Sequence, residues 1–294
     1  MKKYRKWSIS AHIVMAVLSF AALVPFVLLI TSSFTDETTV IRNGYSFFPQ
    51  KFSLDAYKYI LEQWATIGRA YINTAVVTII GTTIGVIISA FFGYTVSRKN
   101  LPGRALILFY IVFTMFFSGG MTLQYIIYTK VFYLKDTILG LIIPGLLMNG
   151  FYVMTFRNYF ENSIPEALME AAKIDGASEI KIFWKVVVPL SGPIFATIAL
   201  PAALMYWNDW MNGMYYLNMG SKLKTVQTIL NNMNENVKYL QENATAASQF
   251  DSSTIPTTTI RMAIAVVGIA PLICAFPFLQ KWLVRGLTVG AVKE

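Results

Sequence analysis

The stretch SIPEALMEAAKIDGASEIKIFWKVVVPLSGP, residues 163–193, decides the fold, because it is rich in charges and helix signals yet lies between long apolar segments. Ser163 has a side chain suited to an N-cap, with a glutamate three residues later, which is the spacing of a capping box. Gly176 predicts a left-handed stop for this first helix. Ser178 predicts the start of a second short helix, which Pro189 ends. The stretch therefore predicts a helix-turn-helix that projects from a membrane domain.

Each of these two helices is expected to carry a distinct face. In the first helix, alanines recur at helical spacing, and an alanine surface allows a partner to approach very closely. In the second helix, one face is expected to be apolar and to consist of Ile180, Phe183, Trp184 and Val187.

The register of the stretch resembles that of a known family. Glu170-Ala171-Ala172, then Gly176, and then Val186-x-Val188-Pro189 follow the EAA loop of ABC importer permeases, EAA-x3-G-x9-I-x-L-P, with valines at the Ile and Leu positions. In that family the loop is cytoplasmic and docks into a groove on the ATP-hydrolysing subunit. The resemblance implies that the ATPase-docking residues here are Glu166, Glu170, Ala171, Ala172, Asp175, Gly176 and Pro189.

The composition is that of a membrane protein with several spans. Of the 294 residues, 55% are hydrophobic, 15% are aromatic and only 13% are charged, and the mean hydropathy is +0.54. A chain of this length accommodates about six spans of roughly 20 residues each. The net charge of +9 is explained by cytoplasmic lysines and arginines, so we expect membrane lipid and no nucleic acid as a partner.

Some kinds of site are excluded by residue types alone. With one cysteine, Cys274, and one histidine, His12, the chain cannot build a metal centre from these side chains. No G-x-x-x-x-G-K-[ST] phosphate-binding loop occurs. We therefore expect no catalytic residue, metal or cofactor in this chain. If ATP drives its function, a partner ATPase binds the ATP and the Mg²⁺.

The apolar runs and polar interruptions predict the organisation of the chain. The first apolar run is long for a signal peptide and no clear cleavage site follows it, so we interpret it as an uncleaved span. The predicted segments are a cytoplasmic N-terminus at 1–10, a first transmembrane helix at 11–31, an extracytoplasmic region at 32–69, a core of five transmembrane helices at 70–281 with a coupling loop at 158–192 and an extracytoplasmic loop at 217–260, and a cytoplasmic tail at 282–294.

Local patterns add finer predictions within these segments. Amphipathic or polar helices are expected at 54–64 and 225–242. A bend is expected at Gly119-Gly120, near the centre of the third span, because glycine loosens a helix. The fourth span is predicted as one helix from 137 to 155, and the fifth as one helix from 193 to 216.

The basic residues set the predicted orientation. Placing the N-terminus inside puts fourteen of the 24 lysines and arginines on the cytoplasmic side: four in 1–10, three in 98–104, four in 157–185 and three after 280. This bias follows the positive-inside rule. We therefore predict a multi-pass protein of the bacterial cytoplasmic membrane with both termini and the coupling loop inside.

A second resemblance narrows the family to its carbohydrate branch. The C-terminal segment GLTVGAVK, residues 286–293, resembles the G-L-T-x-G-A-V-K tail of carbohydrate-importer permeases. The Ser118–Met121 step and Trp207-Asn208 are similar to the lipoprotein-dependent oligosaccharide and polysaccharide importers of that branch. In that branch a proline often follows the Gly-Gly step, whereas this chain has Thr122-Leu123-Gln124.

The resemblance implies an all-α membrane fold with six transmembrane helices, the type I ABC importer permease fold. It also implies alternating access driven by a separate ATPase subunit. The implied partners are a second, related permease, an ATPase dimer, an extracytoplasmic substrate-binding lipoprotein and an oligosaccharide substrate. The first helix is expected to pack against the second permease.

A substrate path is predicted on the fifth span. On a helical wheel, Asn208, Asn212 and Tyr215 fall within one narrow arc, and Trp207 lies beside it. Amides in hydrocarbon are costly unless they face protein or a water-filled cavity, and amides suit sugar hydroxyls. Asn149 and Gln124 are further candidates. The alternative is that the asparagines hold helices together and that the tryptophans belong to an interfacial belt.

Three other functions compete with the sugar importer. A peptide, amino-acid or polyamine importer permease would keep the EAA register but lose the C-terminal tail motif. A secondary transporter needs intramembrane acidic residues for coupling ions, and Asp209 is the only carboxylate within a predicted span. A membrane-embedded hydrolase or transferase would have to use Glu166, Glu170 and Asp175, but a solvated loop has no walls to raise a carboxyl pKa.

Overall fold

The computed structural model describes residues 2–242 and 258–274, with side chains described for 11–235 and 258–274. These residues form helices and no β-strand; Thr35 and Phe52 make an isolated antiparallel bridge. The tail motif and the end of the sixth predicted span lie outside the described residues.

The helices are α1 (Lys2–Ser33), α2 (Glu37–Asn43), α3 (Asp55–Glu62), α4 (Trp64–Ser97), α5 (Arg104–Phe116), α6 (Gly120–Ile126), α7 (Leu139–Ile142), α8 (Gly150–Ser163), α9 (Glu166–Ile174), α10 (Glu179–Ile182), α11 (Val188–Leu190), α12 (Gly192–Trp207), α13 (Met211–Tyr216), α14 (Val226–Glu242) and α15 (Thr258–Cys274).

The described chain forms two compact units. Of the described residues, one unit comprises those up to Gly68 together with 229–242 and 258–272, and the other comprises Arg69–Thr228 together with Ile273 and Cys274. The first unit contains α1, whose segment Ala11–Ser33 has a mean hydropathy of 2.9 over its most apolar window and buries none of that window in the chain. Its 23 residues extend about 34 Å, enough to cross a bilayer core of about 30 Å. This helix matches the predicted first span in position, length and composition.

A carboxylate ties two helices together within the first unit. Glu37, the first residue of α2, accepts hydrogen bonds from the backbone N–H groups of Thr258 and Thr259 at 2.9 and 2.8 Å, and from the Thr259 hydroxyl at 2.6 Å. These N–H groups open α15 and have no partner within that helix. Glu37 therefore caps α15 from a distant part of the sequence.

The second unit is built against α4, which has 34 residues and a mean hydropathy of 2.3 over its most apolar window. Glycines on α4 allow close approach of neighbouring segments. A Cβ at Gly85 would lie 2.8 Å from the Leu147 carbonyl oxygen, and one at Gly93 would lie 2.6 Å from the Phe156 Cβ. Only glycine fits at these two contacts.

Two pairs of helices in this unit are sharply bent. The axes of Arg104–Phe116 and Gly120–Val131 differ by 112°, and Gly120 has a φ of +77° that favours glycine. The predicted bend at Gly119-Gly120 is therefore confirmed, without the proline. Glu179–Leu190 and Gly192–Trp207 form the second pair, bent by 84°. The described helices supply two long spans, or up to four if each bent pair counts as one span.

Two predicted continuous spans are broken, so these predictions were wrong. In place of one helix from 137 to 155, α7 ends at Ile142, Gly145 has a φ of +71°, and α8 begins only at Gly150. In place of one helix from 193 to 216, α12 ends at Trp207 and α13 begins at Met211. The breaks lie beside each other, and side chains of one serve the backbone of the other.

The shorter helical predictions agree with the structure. The helix expected at 54–64 spans Asp55–Glu62 and buries Ala56 and Ile60. The helix expected at 225–242 begins at Val226, and the Thr225 hydroxyl accepts a hydrogen bond from the Thr228 N–H at 3.2 Å. An oxygen at this position satisfies one of the unpaired N–H groups that open a helix.

Candidate functional site

The projecting helix-turn-helix forms, but its first helix begins differently from the sequence prediction. Ser163 is the last residue of α8 and not an N-cap. Pro165 takes the N-cap position of α9 with a φ of −60° and a ψ of 128°, and no side chain caps the helix there. The capping-box prediction was wrong because α8 extends to Ser163, and the fixed φ of proline supplies the turn into α9 instead.

The turn between the two helices agrees with the prediction. Gly176 has a φ of +75°, and its N–H donates to the Lys173 carbonyl at 3.0 Å. The next N–H, of Ala177, donates to the Ala172 carbonyl at 2.9 Å. The Ser178 hydroxyl then accepts from the Lys181 N–H at 3.4 Å and caps α10. The chain thus reverses direction through one left-handed residue.

The first loop helix, α9, presents most of its surface to the outside. Of its nine residues only Met169 is buried, and Ile174 is 86% exposed. Glu166, Glu170 and Ala171 are exposed, and Ala172 is half-buried. Asp175, Gly176 and, on the following helix, Pro189 are exposed as well. The predicted docking residues therefore form an accessible surface of small and acidic side chains.

The second loop helix buries a different face from the predicted one. Phe183 and Val187 are buried as expected, but Ile180 and Trp184 are 62% and 47% exposed, and Ile182 is buried instead. The reason is a π-helical turn at Phe183–Val187, which inserts an extra residue and rotates the face. The helix also continues through Pro189 to Leu190 rather than ending at the proline.

Aromatic rings join this second helix to the end of α4. Phe183 is 1% exposed, and its ring centre lies 4.5 Å from that of Phe91 and 5.3 Å from that of Tyr94. Tyr94 also packs edge-on against Phe160 of α8 at 6.3 Å. Tilted and edge-on rings are favourable arrangements. The base of the helix-turn-helix is therefore a packed core rather than a free loop.

A cluster of charges surrounds this aromatic core. The Glu179 carboxylate pairs with the Lys173 ammonium at 2.6 Å and with the Arg98 guanidinium at 3.2 Å, and it accepts a hydrogen bond from the Tyr94 hydroxyl at 2.6 Å. Burial raises the pKa of the Glu179 carboxyl, but the hydrogen bonds of Lys173 and Tyr94 and the charge of Arg98 lower it to about 2. Glu179 is therefore ionised at physiological pH.

An open cavity of about 440 Å³ lies beside this cluster. Its lining includes Arg98 of the α4 end, Glu161 of α8, and Glu166, Glu170 and Lys173 of α9. Glu161 belongs to a second ionic group, since it pairs with Arg104 at 2.7 Å and with Arg157 at 2.9 Å. Both signs of charge thus line the cavity, on the side where α9 is exposed.

Sequence reasoning did not identify Tyr94, Arg98 or Glu179. The available signal was a tyrosine and an arginine four residues apart at the end of an apolar run, which places both on one helix face. Their meeting with Glu179 depends on a contact across more than 80 positions of the chain.

The broken fourth and fifth spans are joined by side-chain hydrogen bonds. The Tyr206 hydroxyl donates to the Ile142 carbonyl at 3.0 Å, and the Asn212 amide donates to the Pro144 carbonyl at 2.9 Å and the Leu141 carbonyl at 3.4 Å. Tyr206 and Asn212 are 3% and 8% exposed. Asn212 therefore holds the chain together at the break, and its amide nitrogen is occupied there.

The remaining path candidates are not on one continuous helix face, because α12 ends before Asn208. The Asn208 amide group is exposed, donates to the Leu204 carbonyl at 2.9 Å and accepts from the Gln227 amide at 3.3 Å. Asn149 caps α8 by accepting from the Phe151 N–H at 2.9 Å. Trp207 and Tyr215 are half-buried, and Gln124 is exposed on α6. A shared path for these residues stays a prediction.

Comparison with known proteins gives consistent matches over nearly the whole chain. Residues 8–289 match the family described as binding-protein-dependent transport system inner membrane component. The polygalacturonan/rhamnogalacturonan transport system permease protein YtcP of Bacillus subtilis (strain 168) is 37% identical over 92% of each chain. Protein LplC of the same organism is 34% identical over 92% of this chain and 89% of that protein.

A solved structure shares the fold. A chain from the crystal structure of a bacterial ABC transporter involved in the import of the acidic polysaccharide alginate matches with a TM-score of 0.77 and 29% sequence identity. The match covers 96% of this chain and 98% of that one.

We expect Asn212→Leu to destabilise the protein by about 1–3 kcal/mol, because the buried Leu141 and Pro144 carbonyls lose their donor. The matched control is Asn208→Leu, which makes the same change at an exposed position. The measurement is the midpoint of thermal unfolding of the purified protein in detergent. Equal midpoints for the two variants would show that Asn212 does not hold the break together.

Proposed function

The chain belongs to the family of binding-protein-dependent transport system inner membrane components, and we propose that it is the permease subunit of an ATP-binding-cassette importer for an oligosaccharide or polysaccharide fragment. The observation that carries this proposal is the 37% identity, over 92% of each chain, to a permease named for polygalacturonan and rhamnogalacturonan transport. The fold likeness to the alginate importer supports it. A peptide, amino-acid or polyamine importer is not favoured by these relatives.

In this proposal the exposed face of α9 docks on the ATPase, which binds ATP and Mg²⁺. The arrangement that supports it is an accessible surface of alanines and glutamates on a helix held at its base by a packed aromatic core. Glu166 and Glu170 line the adjoining cavity of about 440 Å³. Because Arg98 and Lys173 line the same cavity, it suits a partner surface that carries both signs of charge.

We place six spans in the membrane. They are α1, α4, the bent pair of α5 and α6, the broken pair of α7 and α8, α12 with α13, and a sixth span that includes α15. The two long apolar helices, α1 and α4, and the bent pair of α5 and α6 support this arrangement. Both termini and the helix-turn-helix are placed in the cytoplasm, in agreement with the distribution of basic residues.

The proposed partners are a second permease of related sequence, an ATPase dimer and an extracytoplasmic substrate-binding lipoprotein. The apolar surface of α1, which is exposed over its whole most apolar window, is available for lipid or for the second permease. Asn208, Trp207 and Tyr215 are the residues that we propose for the substrate path, with Asn149 and Gln124 as further candidates. Amide and aromatic side chains of this kind suit sugar hydroxyls and sugar faces.

The function is tested by uptake into liposomes. The complete importer, purified through a tag on this chain and reconstituted with ATP inside, is supplied with its binding protein and a panel of oligogalacturonides, alginate fragments and short peptides. We expect ATP-dependent accumulation of an oligosaccharide and none of the peptides. Accumulation of a peptide alone would replace the sugar proposal with the alternative.

The orientation predicts which side of the membrane each loop faces. With Cys274→Ala as the background, we expect Ser252→Cys in the extracytoplasmic loop to react with an impermeant thiol reagent in intact cells. Ser178→Cys in the helix-turn-helix is expected to react only after the cells are opened. Labelling of Ser178→Cys, but not of Ser252→Cys, in intact cells would show that the orientation is the reverse of the proposed one.

Gly176→Val is expected to impair coupling without unfolding the protein. A β-branched residue at a positive φ costs about 1–2 kcal/mol, and no neighbouring atom lies within 4 Å of a Cβ at this position. The strain is therefore confined to the turn, and we expect normal membrane insertion with reduced ATPase association and uptake.

The matched control for Gly176→Val is Gly176→Asn, because asparagine tolerates the left-handed conformation better than other residues. We expect it to retain most of the uptake. The measurements are the amount of ATPase that co-purifies and the initial uptake rate. Normal uptake by Gly176→Val would mean that this turn does not position the docking helix.

A further inference from the structure

Glu179 connects three segments that meet at the base of the helix-turn-helix. Its two carboxylate oxygens are used separately: Oε1 pairs with Lys173 of α9 at 2.6 Å, and Oε2 contacts Arg98 at 3.2 Å and Tyr94 at 2.6 Å. Glu179 itself is the first residue of α10. Tyr94 belongs to α4, and Arg98 directly follows its last residue. One carboxylate thus bridges the exposed helix and the end of the long apolar helix.

The exposed helix has few other attachments. Met169 is the only buried residue of α9, and its sulfur accepts a hydrogen bond from the same Arg98 guanidinium at 2.9 Å. Arg98 also lies over the Tyr94 ring, 5.1 Å from its centre. The contacts from α9 to the end of α4 are therefore concentrated in one small group of side chains. A displacement of α9 acts directly on Arg98 and Tyr94.

The second loop helix packs rigidly against the end of α4, next to this group of side chains. Phe183 packs on Phe91 and Tyr94 and is 1% exposed, so the second loop helix and α4 form one packed body. By contrast, α9 contributes only Met169 and the half-buried Ala172 to this core, and its other contacts with that body include the ions around Glu179. Glu179 connects the two parts, since it belongs to the packed body and its carboxylate pairs with Lys173 of α9.

We propose that Glu179 is a positioning residue that holds α9 in register with α4, so that movement of the docked ATPase is passed to the membrane helices. This inference rests on the proposed function as an importer permease. Glu179 also lines the cavity beside Glu166 and Glu170, but both of its carboxylate oxygens already have partners within the chain, and in this proposal it contacts neither the substrate nor the ATPase. It acts through Lys173, Arg98 and Tyr94.

Because the ion pair of Glu179 and Lys173 is partly exposed, its positioning role can be tested without loss of folding. The Glu179 side chain is 50% exposed and that of Lys173 is 52% exposed. Ion pairs at such positions contribute little to stability, because water screens them. Loss of the carboxylate charge therefore leaves the chain folded and assembled, while the fixed geometry between α9 and α4 is lost.

The test compares transport with ATP hydrolysis in the reconstituted complete importer. The variant is Glu179→Gln, and the measured quantity is substrate accumulated per ATP hydrolysed, with the amount of assembled complex measured in parallel. We expect normal assembly and a fall of about fivefold or more in substrate per ATP, the lower end of the usual range of coupling between sites. Arg98→Gln is expected to give a similar fall. The double variant is expected to fall no further than either single one, because both act through one contact.

The matched control is Asp36→Asn, which also removes a carboxylate that pairs with a basic side chain. Asp36 pairs with Lys51 at 3.1 Å and belongs neither to the helix-turn-helix nor to the lining of the cavity. We expect its substrate per ATP to equal that of the wild type. An equal fall in Asp36→Asn would indicate a general electrostatic effect and would overturn the proposal.

Three further outcomes are decisive. If Glu179→Gln loses assembled complex but keeps the normal ratio of substrate to ATP, the cluster is structural and the proposal is wrong. If it keeps both, Glu179 has no positioning role and the proposal is also wrong. If the wild-type importer itself shows no ATP-dependent uptake of any oligosaccharide, the proposed function fails before Glu179 is tested.

Discussion

Backbone carbonyl groups that are freed where a helix breaks in a buried place must find donors within the protein, and the second unit of this structure depends on that constraint. At the break that follows α7 the carbonyls of Leu141, Ile142 and Pro144 are not closed by a continuous helix. Tyr206 and Asn212 supply the donors from the neighbouring break between α12 and α13. Two interrupted segments are thereby stable side by side, whereas either one alone would leave buried polar groups unpaired.

The same constraint explains why α4 carries glycines where it does. Where a helix is broken, its backbone rather than its side chains contacts the neighbouring helix. The neighbouring helix therefore needs a residue without a side chain at that contact. Gly85 meets the Leu147 carbonyl in the segment between α7 and α8, and Gly93 meets the first part of α8 further along. The glycines of α4 thus allow the neighbouring segments to pack closely against this long helix.

The projecting helix-turn-helix is held by different interactions, because much of its surface is exposed. Its base is fixed by buried rings around Phe183, and α9 is attached through Met169 and Ala172 and through the ions around Glu179. Buried rings resist displacement in every direction. Charged contacts at a half-exposed position contribute little stability but define direction and distance. A helix joined in this way keeps a defined position relative to α4 although most of its surface is exposed.

The sequence by itself determined the membrane class, the first span, the turn at Gly176 and the helix-turn-helix register, since these depend on composition and on residues close in the chain. It did not determine the breaks at Ile142 and Trp207, because apolar residues on both sides favour helix and the break is favourable only with Tyr206 and Asn212 in place. The buried face of the second loop helix was likewise decided by packing, which stabilises a π-helical turn that no local pattern indicates. The Glu179 cluster joins positions more than 80 residues apart, and only the tertiary structure brings such charges within reach of one another.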